Sequence, residues 1–327
     1  MNKIINKEIS FLQAIGIILV VLGHSGKHIP YLTKWIYSFH MPLFMFISGY
    51  LFNYNISGYK DFFIKKTKRL LVPYFIISTI AYIPKYLLGR FAMRPLVFSF
   101  KGYLNGFLYP ENNPIIFFWF LPTLFFIMLI SLFLLRYLKS KNTFYILLIG
   151  GFILAVVSKK YISIKLLGTS IVLYYFLFFT FGIFYRKYQI LICSFLKLNE
   201  KKICLILNFV LVLNCLSNIP IIRVEYDIFV SIIGILSMIS LSKIYNKENY
   251  NFLNFLYGKS YTIYLLSWFP QVFIRIVGYQ ILNLSWTIVL PISFFFGIFI
   301  PYIANLFIIF ITNKFKKISF LRIVFGI

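Results

Sequence analysis

The stretch ISFLQAIGIILVVLGHSG, Ile9 to Gly26, decides the class of fold. It contains no Lys, Arg, Asp or Glu. As a helix rising 1.5 Å per residue it would be about 27 Å long, close to the roughly 30 Å of bilayer hydrocarbon. Apolar and polar residues do not alternate along it, as they would in a barrel strand. A helix satisfies its own backbone hydrogen bonds in lipid, so the stretch reads as a transmembrane helix. No small-x-small cleavage pattern follows it and similar runs recur downstream, so it is expected to be a retained first helix rather than a signal peptide.

Working outward, the same reading gives ten spans: 9–26, 35–56, 70–88, 114–135, 143–157, 167–185, 203–219, 228–242, 260–280 and 285–311. The fifth and eighth are short, which implies tilt, extension into their flanks, or a broken helix. The segment 89–113 is the one long connection. It carries Arg90, Arg94 and Lys101, and its apolar part, Tyr103 to Tyr109, suits the membrane surface. The expectation is an all-α, polytopic transmembrane bundle, a single domain over 1–327.

Composition agrees. The 327 residues are 61% hydrophobic and 12% charged, with a mean hydropathy of +0.88. Soluble domains average about 45–50% apolar and about 25% charged, so this chain is too poor in charge to cover a water-facing surface. The net charge of +26 does not indicate nucleic acid, because the basic residues form neither a stripe nor a tail. They sit in short clusters between apolar runs, as topology signals do. With the N-terminus inside, 22 of the 33 Lys and Arg fall in cytoplasmic segments and 10 outside; Arg275 lies within the ninth span. That asymmetry predicts both termini in the cytoplasm, with Ser25 outside and Ser57 inside. Cys193, Cys204 and Cys215 are an odd count without a CxxC, so they read as small apolar fillers, not a disulfide frame or metal site.

Polar side chains inside such spans are functional candidates. His24 stands near the outer end of the first span and His40 near the start of the second, with His28 in the loop between them. Histidine is the side chain best suited to accept a proton from a hydroxyl near neutral pH; each can equally satisfy a neighbouring carbonyl. Gln13 precedes His24 by almost three helical turns, on the same face and about 16 Å away. The pair can line one channel for a long thin substrate, or Gln13 can bond across the bundle. Lys60, Lys65, Lys66, Lys68 and Arg69 form a basic loop before the third span. Such a cluster can fix topology, bind anionic lipid or hold cofactor phosphates, and Arg69 has the best fork for phosphate. No P-loop or GxGxxG is present, which argues against ATP hydrolysis and dinucleotide binding.

In the ninth span, SYTIYLLSWFPQVFIR (Ser260 to Arg275), Ser267, Gln271 and Arg275 share one face with Trp268. Pro270 is expected to kink the helix and free a carbonyl. Arg275 needs a partner or a cavity, and Glu111, Glu225 and Asp227 are the available acids. Glu111, before Asn112-Asn113-Pro114, can orient a histidine, grip a sugar hydroxyl, or stand in solvent.

FLQAIGIILVVLGH (Phe11–His24), HMPLFMFISGYLF (His40–Phe52), Lys66-x-x-Arg69-Leu70 with Pro73-Tyr74, Trp119-Phe120-Leu121-Pro122 and YGKSYTIYLLSWFP (Tyr257–Pro270) follow in order along nearly the whole chain. Together they resemble acyltransferase family 3 of integral membrane proteins, especially the branch similar to fucose 4-O-acetylase. The region 140–250 adds only generic helices. The resemblance implies a ten-helix bundle in a bacterial inner or plasma membrane. It implies an enzyme that moves acetyl or a related acyl group from acyl-CoA, the donor co-substrate, to a hydroxyl of a surface or lipid-linked carbohydrate. No metal is implied.

The family's first-helix histidine falls on His24, and its usual arginine upstream falls on Gln13. The paired basic motif falls on Lys66 and Arg69, and the histidine of the ninth-helix motif falls on Ser267. On this reading His24, His40, Glu111 and Arg275 are the catalytic candidates. Gln13, Lys66 and Arg69 are the donor-binding candidates. The competing class is a transporter or flippase of a glycolipid or polysaccharide unit, which would need the same helices and polar interior.

Overall fold

The computed structural model describes residues 6–26, 29–54, 58–88, 99–137, 142–196, 200–216 and 224–327, without side chains for 190–196. Every regular element among them is helical. Six segments have the length and apolarity to cross a membrane: Tyr59–Leu87, Ile116–Tyr137, Thr143–Tyr161, Leu166–Gln189, Val224–Lys247 and Trp286–Lys314. The other four predicted spans are occupied by shorter, less apolar or broken helices. These are α1 (Lys7–Gly23), α2 (Pro30–Tyr50), α9 (Glu200–Leu216) and the pair α11 (Ser260–Leu266) and α12 (Trp268–Arg275).

The two spans read as short are extended into their flanks: α7 runs Thr143–Tyr161 and α10 runs Val224–Lys247. The basic cluster before the third span is not a loop. Lys60, Lys65 and Lys66 lie on α3 (Tyr59–Lys66), and Lys68 and Arg69 lie on a π turn, Thr67–Leu71, that runs straight into α4 (Val72–Leu87). Lys and Arg are good helix formers, so charge ends the apolar run without ending the helix. Within 89–113, α5 spans Phe100–Leu108. His28, Ser57, Arg90 and Arg94 lie outside the described residues, as does the Cys193 side chain. Cys204 and Cys215 are buried and free.

α1 and α2 are antiparallel. Asn6, capping α1, donates from Nδ2 to the hydroxyl of Tyr50 at the end of α2 (3.2 Å). At the opposite end the Tyr37 hydroxyl donates to the Gly23 carbonyl (2.8 Å). α2 is the hub, packed on α1, α8 (Thr169–Leu196), α9 and α10. Gly49 and Gly182 let α2 and α8 touch backbone to backbone: a Cβ at either would meet a carbonyl of the facing helix, that of Phe179 or Phe46. Close approach through small residues is how helices associate where lipid removes the hydrophobic driving force.

Two prolines shape the bundle through the carbonyls they orphan. Proline has no N–H, so the carbonyl four residues earlier loses its helical donor. Pro42 orphans Ser38, and Ser231 of α10 supplies a hydroxyl to that carbonyl (2.6 Å). Pro73 orphans Arg69, and Tyr261 of α11 supplies its hydroxyl there (2.6 Å). An unmet carbonyl costs several kcal/mol in hydrocarbon. These bonds therefore fix α10 on α2 and α11 on the basic turn.

Candidate active site

His24 is the residue immediately after α1, where the last carbonyls of the helix have no intrahelical donor. Neighbouring side chains supply donors. Gln271 Nε2 donates to the Val21 carbonyl (2.7 Å) and to Ser25 Oγ (3.0 Å), and Ser25 Oγ donates to the same carbonyl (2.6 Å). With Tyr37 on Gly23, α2 and α12 clamp the end of α1 and hold the His24 backbone in register. The His24 ring is half-buried, its centroid 5.0 Å from that of Phe117 and 6.0 Å from that of Tyr37.

His40 is fully enclosed, with Nδ1 2.9 Å from the Ile36 carbonyl. A carbonyl only accepts, so Nδ1 carries the proton and Nε2 is left as an acceptor in the neutral ring. The Tyr37 ring lies 5.0 Å from that of His40. Tyr37 therefore stands between the two imidazoles, one helical turn before His40.

The expected break in the ninth span lies at Ser267, between α11 and α12. Pro270 removes the donor for the Leu266 carbonyl and lets the axis bend there. Ser267 Oγ is completely buried and has no hydrogen-bond partner among the described residues. Gln271, one turn on, is consumed by the α1 clamp. Arg275 donates from Nε to the Gln271 carbonyl (3.3 Å), and its charge is felt by the phenols of Tyr37 and Tyr279. The acids expected as its partners are engaged elsewhere or exposed: Glu225 pairs with Lys160, Asp227 has Lys159 as its charged neighbour, and Glu111 is exposed on the turn Pro110–Asn112. Asn113 is the polar group that this turn buries. It accepts from the Ile115 N–H (2.9 Å) and donates to Ser78 Oγ (2.9 Å).

At the other end of α1, Lys66 and Arg69 lie together on one turn. Lys66 Nζ is 5.3 Å from the centre of the Phe62 ring, and Phe62 packs on Phe52 beyond the end of α2 (5.9 Å). Arg69 is exposed, its guanidinium carbon 5.8 Å from the centre of the Tyr261 ring. Gln13 is half-buried on α1.

Between these ends runs a feature the sequence did not single out. Tyr261 stacks on Tyr264 (6.4 Å, 7° between planes), Tyr264 packs on Phe117 (5.3 Å), and Phe117 packs on His24 (5.0 Å). The Tyr264 hydroxyl donates to the Phe117 carbonyl (2.6 Å), which locks the middle of the row. Arg69 and His24 are thus joined by a continuous row of rings. His24, His40 and Arg275 all have Tyr37 as a neighbour, with Gln271 holding the end of α1 beside them, while Lys66 and Arg69 share one turn at the other end. No group of three or more His, Cys, Asp or Glu that could hold a metal ion occurs among the described residues.

Nodulation protein NolL of Mesorhizobium japonicum is 29% identical over 196 residues, covering 56% of this chain and 48% of that one. The chain therefore spans about half the length of the curated relative it matches. No solved structure matches. The model of acyltransferase family 3, described as an acyltransferase domain, matches residues 6–320, and the chain belongs to that family.

Proposed function

We propose that the protein is a membrane O-acyltransferase. It moves an acyl group, acetyl in the simplest case, from acyl-CoA to a hydroxyl of a cell-surface or lipid-linked carbohydrate, as in the fucose 4-O-acetylase-like branch. The observation that carries this reading is the row of rings between Arg69 and His24. Coenzyme A is an anion and does not cross lipid unaided, whereas its pantetheine arm is thin and uncharged. Lys66 and Arg69 grip the phosphates at the near end. The arm lies along the rings, with Gln13 about 16 Å from His24 on the same helix, and the thioester reaches His24.

There His24 takes the proton of the acceptor hydroxyl, and the oxygen attacks the thioester carbon. The C–S bond breaks, and the proton passes from His24 to the departing thiolate. The charge that builds on the carbonyl oxygen needs donors. His40 has committed its N–H to Ile36, so that task falls to the unpartnered Ser267 hydroxyl and to Arg275. Glu111 plays no part in orienting His24 in this scheme.

In the same reading α1, α2, α9 and the α11–α12 pair also cross the bilayer. That makes ten spans with both termini in the cytoplasm of a bacterial inner or plasma membrane. The excess of 22 basic residues over 10 supports the orientation. Mass spectrometry of surface glycans from cells with and without the protein tests the reaction. A glycan acyl mass that disappears with the protein is the expected result. Unchanged glycan masses with altered glycolipid export would establish a transporter instead.

A further inference from the structure

We infer that a polar cavity beside Tyr37 is the acceptor subsite and that it takes a single pyranose ring. This rests on the transferase reading above. The cavity, about 270 Å³, lies between α2, α7, α8, α9 and α10. Its lining includes Tyr37, Tyr174, Tyr175, Lys159, Asn214 and Asp227. A second cavity of similar size, about 290 Å³, is apolar throughout, walled by Leu148, Phe152, Leu177, Phe178 and Phe181. The contrast separates a surface for lipid tails from one for hydroxyl groups.

Position supports the assignment. The cavity is built from the first half of α2, the last turn of α7 and the first turns of α8 and α10. α2 begins at the end of the bundle where α1 stops, so the cavity opens at the level of His24. Tyr37 belongs to both places: it lines the cavity and packs on the His24 ring at 6.0 Å and the His40 ring at 5.0 Å. A ring seated there needs only to pass the edge of Tyr37 to offer a hydroxyl to His24.

The chemistry matches a sugar. Tyr174 and Tyr175 lie 5.1 Å apart, nearly perpendicular, and give two flat faces for pyranose C–H groups. Lys159 sits over the Tyr174 ring (4.8 Å) and beside the Asp227 carboxylate, which brings a donor and an acceptor to one side. On the other side the Tyr226 hydroxyl donates to Asn214 Oδ1 (2.7 Å) and aligns that amide. Ser231 is spent on the Ser38 carbonyl and closes the floor. The volume falls just under the roughly 300–1,000 Å³ of ordinary small-molecule pockets. One ring fits it, and an oligosaccharide does not.

The test uses the full chain in proteoliposomes with acetyl-CoA and the methyl pyranosides of glucose, galactose, fucose and N-acetylglucosamine. Thiol release and acetylated glycoside are both measured. The wild type acetylates at least one glycoside. Asp227→Asn, which keeps the shape, raises the KM for that glycoside about tenfold to a hundredfold, the loss of one charge-assisted hydrogen bond. The KM for acetyl-CoA and the acceptor-free hydrolysis stay unchanged.

An unaltered glycoside KM in the variant overturns the subsite. So does an equal fall in hydrolysis and transfer, which would mark Asp227 as structural. Thiol release by the wild type with no glycoside acetylated also removes the pyranose pocket while sparing the transferase. No thiol release under any condition removes the transferase reading itself.

Discussion

The Tyr261 hydroxyl donates to the Arg69 carbonyl at 2.6 Å while the Arg69 guanidinium carbon lies 5.8 Å from the centre of the same ring. One tyrosine thus holds both the main chain and the side chain of the best phosphate-binding candidate. The bond exists because Pro73 deprives that carbonyl of its helical donor and opens the turn into a π register. It ties the basic turn to the row of rings, so the two halves of the proposed donor path are mechanically one piece.

Tyr261→Phe keeps the ring and deletes only the hydroxyl. The Arg69 carbonyl then loses this donor at an exposed position, at a net cost of about 0.5–1.5 kcal/mol. The expected outcome is a lower thermal midpoint in detergent and a KM for acyl-CoA raised severalfold, with kcat at saturating donor little changed. Thermal unfolding and donor titration on the same preparation check it. A variant that loses stability but binds donor normally would confine Tyr261 to scaffolding.

Lys66→Gln with Arg69→Gln removes two cations from one turn without shortening either side chain much. Hydrogen bonds to charged groups are worth about 1.5–3 kcal/mol each, so the donor KM should rise by tenfold or more. Because phosphate contacts are electrostatic, the wild-type KM should also rise with salt and the variant's should not. Equal salt dependence in the two proteins would dissociate this turn from the donor phosphates.

The helices were legible because lipid leaves the chain few choices: a spanning backbone must be a long apolar helix. The span 285–311 could hardly be read otherwise, and a helix runs Trp286–Lys314 there; the stretch from Ile9 is helical too, but only as far as Gly23. The third span was misjudged at its start because apolarity, not helicity, stops at Leu70; Lys65, Lys66, Lys68 and Arg69 continue the helix as charged residues. Of the site, His24, His40 and Arg275 stood out as polar groups in apolar surroundings. Tyr37, Phe117, Tyr261 and Tyr264 did not, because 41 Phe and 25 Tyr in one chain make any single ring inconspicuous. Only the fold shows which rings line up, although Tyr261 and Tyr264 were already one turn apart on the face that leads to Gln271. Two of the acids open to Arg275 on sequence have basic neighbours that sequence distance does not reveal, Lys160 for Glu225 and Lys159 for Asp227.

Sidedness is open to cysteine labelling, and the structure changes which positions to use. Ser25 is completely buried and bonded to Val21 and Gln271, so a cysteine there would report packing and not topology. Tyr31, at the exposed start of α2, and Lys68, exposed on the basic turn, are accessible at opposite ends. With Cys193, Cys204 and Cys215 replaced by serine, Tyr31→Cys should react with an impermeant maleimide in intact cells. Lys68→Cys should react only after permeabilisation. The reverse pattern would invert the direction of transfer.

His24 carries the strongest prediction because two kinds of lesion separate its chemistry from its support. His24→Ala removes the proton acceptor and leaves the α1 clamp, which is built from Val21, Gly23, Ser25, Tyr37 and Gln271. General base catalysis contributes about 10²- to 10⁴-fold, so transfer should fall by at least a hundredfold while the protein stays folded in the membrane. Gln271→Leu does the opposite: it keeps the imidazole and leaves Val21 and Ser25 to each other. It should lower the thermal midpoint and reduce kcat more mildly, by about tenfold, because the base is retained but less firmly held. If His24→Ala kept normal transfer, the imidazole would be a packing group and the base would have to be sought at His40 Nε2, the other ring nitrogen among the described residues at this end that can accept a proton.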